Sequence, residues 1–517
     1  MRFYETDQGL IPEFLFTGEG EAVNQRFFQV KEIGIKAPEP KRIFDVEKIP
    51  VHPVNTRFSF NEDLQKLLAG RQLLLEEVPF PLETIHEHVL QGYIRYEKGI
   101  DWINGVYVCN RCGNRKRRLL GKFPCARCGQ GCVYCRQCVM MGRISQCTPL
   151  LRWTGPEPNF SYSHALRWSG TLSVAQREAA EKISEAIKTK TDLLIWAVCG
   201  AGKTEMLFSG IEEALSSRMR VAIATPRTDV VLELAPRLQQ AFPDVPVAAL
   251  YGGSDDRYKF SMLTIATTHQ LLRFKEAFDV MIIDEVDAFP YSADEMLQQA
   301  AEKARKKDSA QIFLTATPKE EWQRECFRGT RNHYILPARF HRYPLPIPRF
   351  VWCGNWRKAL VKNKIPVPIR QWVQKRIDSG KQALVFFPHI ELMEQALPLF
   401  QRFHPDIASV HAEDPERKEK VQKMRNGTIP VLLTTTILER GVTIPNIDVA
   451  VVGAEDDTFT ESALVQIAGR VGRSPDYPTG DIAFFHFGKS RAMVRARLQL
   501  IRMNNEAWKR GLIDVRR

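Results

Sequence analysis

The stretch Leu193-Leu194-Ile195-Trp196-Ala197-Val198-Cys199-Gly200-Ala201-Gly202-Lys203-Thr204 constrains this chain more than any other. An apolar run feeds a glycine-bearing loop that ends in Lys-Thr and continues into a helical pattern, the layout of a phosphate-binding loop. Backbone N–H groups of Gly200, Ala201 and Gly202 at a helix N-terminus suit polyphosphate. Lys203 suits the β- and γ-phosphates, and the Thr204 hydroxyl suits Mg²⁺. Ala197 stands where the strict pattern has glycine, which the loop tolerates only at negative φ. Further on, the apolar run 278–283 delivers Asp284 and Glu285 to the end of an expected strand. Asp284 is there to hold the metal and Glu285 to polarise the attacking water. ATP and Mg²⁺ are therefore expected.

A chain of 517 residues exceeds one hydrophobic core. Its formal charge of +13 points to a polyanionic partner, nucleic acid before an acidic membrane surface. The opening Met1-Arg2-Phe3-Tyr4-Glu5-Thr6-Asp7 has no apolar leader, and no window approaches the length of a membrane span. A reducing cytoplasmic setting is expected, with any membrane association peripheral.

Eight of the eleven cysteines crowd into 109–147, as Cys109-x-x-Cys112, Cys125-x-x-Cys128, Cys132, Cys135-x-x-Cys138 and Cys147. A Cys-x-x-Cys knuckle presents two thiolates from one tight turn, and two knuckles complete a tetrahedral zinc site. Spacing alone leaves the pairing of knuckles open. No acidic residue lies between Asp101 and Glu157, while Arg111, Arg115, Lys116, Arg117, Arg118, Lys122, Arg127, Arg136 and Arg143 do. Some of these cations balance thiolate charge. The run 115–118 exceeds that need and, with Phe123, Tyr134 and Trp153 for base stacking, suggests contact with a nucleic-acid backbone.

Prolines break the first hundred residues into short pieces, with one helix expected at 61–75. From about residue 170, buried strands at 193–196, 221–224, 247–250, 263–266, 280–283 and 312–314 alternate with helical patterns, as in a doubly wound parallel sheet. A proline-rich hinge at 336–348 precedes a second set at 383–387, 408–411, 431–434, 449–452 and 482–485. The expected division is an accessory region 1–105, a zinc-binding domain 106–150, a first α/β lobe 151–336, a hinge 337–350 and a second α/β lobe 351–517. The second lobe lacks a phosphate loop but carries Gln466-Ile467-Ala468-Gly469-Arg470-Val471-Gly472-Arg473. On a helix, Gln466, Arg470 and Arg473 would share one face and offer two guanidinium groups to a departing γ-phosphoryl group.

Together these segments resemble a superfamily 2 helicase. Leu172-Ser173-Val174-Ala175-Gln176 is similar to its adenine-sensing glutamine motif, 197–204 to motif I, Thr225-Pro226-Arg227 to motif Ia and Asp284-Glu285-Val286-Asp287 to motif II. Thr315-Ala316-Thr317 is similar to motif III, 435–443 to motif V and 466–473 to motif VI. The resemblance implies two tandem RecA-like lobes, with Arg227, Thr268 and Thr436 facing single-stranded DNA. A narrower resemblance, to the ComFA family of late-competence ATPases, lies in Val198-Cys199-Gly200-Ala201-Gly202-Lys203-Thr204-Glu205-Met206, 266–272, 284–290 and 436–443 behind cysteine knuckles. It implies a cytoplasmic ATPase, stimulated by single-stranded DNA, that helps draw the incoming strand through a membrane channel. A ComFC-like protein and that channel are its implied partners, and a homo-oligomer is left open. It assigns zinc to Cys109, Cys112, Cys135 and Cys138. Cys125, Cys128, Cys132 and Cys147 then form a second set, nested as in the restart helicase PriA, or 125/128 replace 135/138. Two other functions fit the same motifs: a PriA-like replication-restart helicase, and an ATP-switched zinc-bearing DNA-binding adaptor without translocation.

Overall fold

The computed structural model describes residues 1–6, 9–15, 39–440 and 444–514. Gly441, Val442 and Thr443 of the motif V stretch lie outside the described residues.

Two parallel sheets dominate. In the first lobe seven strands run in the order Val247–Leu250, Leu263–Thr267, Val221–Thr225, Phe278–Asp284, Arg305–Thr315, Leu193–Ala197 and His333–Leu336. Every residue of Leu193–Ala197, Val221–Thr225 and Leu263–Thr267 is buried. Such uninterrupted apolar strands require cover on both faces, which crossover helices supply. One of these, Val174–Thr189, starts from a capping box in which Ser173 and Gln176 satisfy each other's backbone N–H groups. In the second lobe six parallel strands run Arg349–Trp352, Ile482–His486, Asp448–Val452, Ala383–Phe386, Val431–Thr434 and Ala408–Val410. All the strands expected from sequence are present. Two more, His333–Leu336 and Arg349–Trp352, are half-exposed edge strands whose apolar runs are only three residues long and lie beside the prolines of the hinge. Leu336 therefore ends a strand of the first sheet rather than opening the hinge.

The helix expected at 61–75 is shorter, Glu62–Leu68. It stops because Gly70 takes φ +67, and a Cβ there would meet Ala277 Cβ at 2.6 Å. The chain then enters the strand Gln72–Leu74, which pairs with Pro149–Trp153, itself paired with Ile94–Lys98. The residues on either side of the cysteine segment thus close one antiparallel sheet. Between them stand two hairpins, Ile100–Ile103 with Val106–Cys109 and Leu120–Pro124 with Gly131–Cys135. Trp153 is buried in this N-terminal core and is not available for base stacking.

Candidate active site

Both lobes aim the C-terminal ends of their strands at a shared cleft, a cavity of about 530 Å³. It is lined from the first lobe by Gln176, Gly200, Ala201, Gly202, Lys203, Thr204, Asp284 and Glu285, and from the second by Gln466, Arg470 and Arg473. The strand Leu193–Ala197 delivers the loop, which turns through Gly200 (φ +82) and Gly202 (φ +72). At Gly202 the positive φ strains any other residue, and a Cβ would meet Gln176 Nε2 at 2.4 Å and displace that side chain. Gln176 holds the loop's backbone: its Nε2 donates to Ala201 O at 2.8 Å while its Oε1 accepts from Ser173 N at 2.9 Å.

Lys203 Nζ lies 3.9 Å from Asp284 Oδ1. Burial pushes the Asp284 carboxyl up to about 6, Lys203 opposes that shift and the neighbouring Glu285 adds to it. Glu285 takes φ +53, and among the described residues its buried Oε2 accepts no hydrogen bond. Two half-buried carboxylates side by side, on the cavity wall that also carries the Thr204 hydroxyl, fit a divalent cation and its water shell.

The second lobe reaches the cleft differently from the sequence expectation. The helix Glu461–Ala468 carries Gln466 but ends at Gly469, so Arg470 lies beyond it in a turn and Arg473 just after that turn, not on one helical face. Gly472 at φ +68 prevents the helix from continuing. The turns still bring both guanidinium groups to the cavity. Arg470 Nε donates to Glu439 O at 3.0 Å and Arg473 Nε to Gly469 O at 3.0 Å. Burial, then the nearby Arg473 charge, draws the Arg470 pKa down. Gln466 Oε1 accepts from the Cys199 thiol at 3.0 Å, a direct contact between the lobes.

Three further residues join the lobes. Asp287 Oδ1 accepts from Thr315 Oγ1 at 2.6 Å, and its Oδ2 accepts from Thr317, Ser462 and Arg440. Burial raises the Asp287 carboxyl, but Arg440 and these hydroxyls outweigh it and hold the group well below the usual range. Arg440 also lies 3.4 Å from Glu285 Oε2. Asp287 and Arg440 were visible within motifs II and V, but their pairing was not. Arg339, hidden in the hinge, had no sequence signal. It is buried and donates to Cys199 O at 3.0 Å, Val471 O at 2.7 Å, Gly469 O at 3.1 Å and Gly472 O. Of the expected strand contacts, Arg227 bonds Asp229 and Ile437 O near the junction of the lobes, and Thr436 is half-buried. Thr268 is fully buried and presents no surface to a strand.

Comparison with known proteins follows the same division. Residues 170–320 match the type III restriction enzyme, res subunit, family, and 367–475 match the helicase conserved C-terminal domain. Residues 55–152 match the competence protein ComFA N-terminal domain. The competence protein ComFA of Bacillus subtilis is 52% identical over 457 residues, covering 88% of this chain and 98% of that protein. The chain belongs to the ComFA family. The ComFA of Streptococcus pneumoniae is 37% identical over 79% of this chain and 99% of its own length. As a family member with both helicase domains, the chain is a DNA-dependent ATPase of the superfamily 2 helicase type, working on ATP with Mg²⁺. Among the described residues no helix is long and apolar enough to cross a membrane.

The cysteine segment, which lies within the residues matched to the ComFA N-terminal domain, forms two buried groups in this chain. Cys109, Cys112, Cys135 and Cys138 bring their sulfurs within 4.8 Å of one another, and Cys125, Cys128, Cys132 and Cys147 do the same. The pairing of 109/112 with 125/128 is not the one adopted. Asn114 Nδ2 donates to Cys135 Sγ of the first group at 3.6 Å. Arg115, Arg117, Arg118, Lys122 and Arg136 are exposed around the segment. Phe123 is half-buried under Arg143, whose guanidinium carbon is 4.4 Å from the ring centre.

Proposed function

We propose that this chain is an ATP-driven single-stranded DNA translocase that draws transforming DNA across the membrane during natural competence. The observation that carries the reading is the single cleft in which Lys203, Thr204, Asp284 and Glu285 face Gln466, Arg470 and Arg473 from the other lobe. Residues from two bodies around one nucleotide make hydrolysis depend on lobe closure, and product release lets them part. Lys203 and the loop amides bind the β- and γ-phosphates, and Glu285 orients the attacking water. Arg470 and Arg473 stabilise charge on the departing phosphoryl group. Thr204 and Asp284 would hold Mg²⁺, which supplies positive charge to the phosphates when bound. Gln176, which lines the same cavity, would sense the adenine. The Asp287–Arg440–Thr317–Ser462 contact transmits closure between motifs II, III and V.

Cys109, Cys112, Cys135 and Cys138 would hold zinc, since four buried thiols at mutual reach match a closed structural site. The exposed cations at 115–118 then guide the strand by its phosphates. We assign the boundaries 1–105, 106–150, 151–336, 337–350 and 351–517 as working units. The chain would act at the cytoplasmic face of the membrane with a ComFC-like protein and the competence channel, alone or as a homo-oligomer.

The test is ATP turnover with single-stranded DNA, duplex DNA, RNA or no nucleic acid, followed by displacement of a protein roadblock from the best activator. Single-stranded stimulation with roadblock displacement and no duplex unwinding is expected. Unwinding of a fork would favour the restart-helicase reading, and stimulation without displacement the adaptor reading.

A further inference from the structure

We propose that Cys125, Cys128, Cys132 and Cys147 form a second zinc centre that anchors the N-terminal sheet, separate from the centre that joins the segment to the first lobe. All four are buried and free of disulfide bonds. Cys132 Sγ lies 3.5 Å from Cys128 Sγ and 3.4 Å from Cys147 Sγ. A zinc tetrahedron with Zn–S bonds of about 2.3 Å places its sulfurs about 3.8 Å apart. The first group shows comparable spacings of 3.7 Å for Cys109–Cys138 and 3.6 Å for Cys112–Cys135. The two knuckles also share a backbone turn. Gly113 N donates to Cys109 O at 2.8 Å and Gly129 N to Cys125 O at 2.9 Å, with φ of +73 and +67 at the two glycines. Four thiols this close without a disulfide would repel one another on ionising, and a divalent cation resolves that conflict.

The surroundings of the two groups differ. The first packs into a cluster with Leu271, Phe274, Met296 and Leu297 of the first lobe. There half-buried Lys303 donates to Arg111 O at 2.7 Å, Leu272 O at 2.9 Å and Gln72 Oε1 at 3.1 Å. The second group forms a small cluster of its own with Phe123 and is held to the N-terminal strands. Cys147 O accepts from the main-chain nitrogen of Met1 at 2.6 Å, and Gln146 O from Phe44 N at 3.3 Å. Gly131 O accepts from Arg42 Nη1 at 3.3 Å, and Arg127 pairs with Glu76. One hairpin, Leu120–Pro124 with Gly131–Cys135, contributes to both groups: Cys135 to the first, Cys132 and the Cys125–Cys128 knuckle at its turn to the second.

The experiment is elemental analysis of full-length protein purified without chelators. Two zinc ions per chain are expected in the wild type, and one in each of Cys112→Ser and Cys128→Ser. One zinc in the wild type, unchanged in Cys128→Ser, would overturn the proposal. Should either variant aggregate, the wild type suffices: eight thiols protected from alkylation and two zinc ions released by an organomercurial support it. Four thiols freely alkylated in the native state, or oxidised to disulfides in the intact mass, sink it. The separate anchoring is read by hydrogen exchange. Cys128→Ser should speed exchange at Phe44 and its neighbours at least tenfold while leaving Glu295–Ala304 unchanged, and equal loosening of both regions would overturn that division. The zinc count stands apart from the motor reading: two zinc ions with no DNA-stimulated turnover would remove the motor and keep the second centre.

Discussion

The two lobes have the same architecture and bring opposite chemistry to the cleft. The first lobe presents a lysine, a hydroxyl and two carboxylates around the phosphate loop, while the second presents a glutamine and three arginines, Arg440, Arg470 and Arg473, and has no phosphate loop. On the proposed function, binding and metal placement belong to one lobe, and neutralisation of the departing phosphoryl group to the other. A parallel sheet gathers strand-end loops at one edge whatever their residues. Two similar sheets, edge to edge, can thus divide one reaction between them, and turnover becomes a report on their approach.

The strongest way to break that comparison is to remove the second lobe's cations. Arg470→Ala or Arg473→Ala is expected to lower turnover by about 10³-fold or more, the usual worth of an arginine supplied to phosphoryl transfer. Nucleotide affinity should barely change, and an equal loss of affinity in a fluorescent-nucleotide titration would erase the division of labour. Lys203→Ala, on the first lobe, is expected to cost about 10²–10³-fold in turnover and to weaken nucleotide binding too. DNA retention on a filter should stay near wild type, and a variant that turns over normally would refute the site.

Arg440→Met tests the joint between the lobes. It leaves Asp287 buried without its cation, a loss of about 3–5 kcal/mol in such settings, and should lower the Tm by several degrees. In an Asp287→Asn background the same change should cost much less, and strictly additive losses would show that the pair does not couple. The smallest effect is expected outside the cleft. Arg117→Ala with Arg118→Ala should flatten the salt dependence of single-stranded DNA binding by about 0.7 per lost phosphate contact on a log–log plot. Turnover without DNA should remain unchanged, and a salt slope equal to that of the wild type would mean those arginines serve only to balance thiolate charge.

The ATP site was readable from sequence where chemistry is local. Lys203 and Thr204 follow their strand directly, and Asp284 and Glu285 end theirs, so strand periodicity alone put them on one edge. Motif VI was harder. Helical spacing put Arg470 and Arg473 on one face, whereas Gly469 and Gly472 end the helix and turns carry the arginines into the cleft. Arg339 gave no signal because its acceptors are carbonyls, which every residue possesses. Its role exists only once the linker folds between Cys199 and Gly472.

The cysteines show the same limit. Their number and Cys-x-x-Cys spacing specify thiolate centres, because a knuckle is a local turn. Which knuckle meets which depends on how the hairpin Leu120–Pro124 with Gly131–Cys135 lies between the N-terminal sheet and the first lobe. By itself, then, the sequence determined the central strands of both lobes, the phosphate loop, the acidic strand end and the clustering of the thiols. All of these are encoded in backbone periodicity and short turns. The tertiary structure alone decided the partition of eight cysteines into two fours, the Asp287–Arg440 joint and the seat of Arg339. Those pairings join residues far apart in the chain, and burial and packing of whole elements select them.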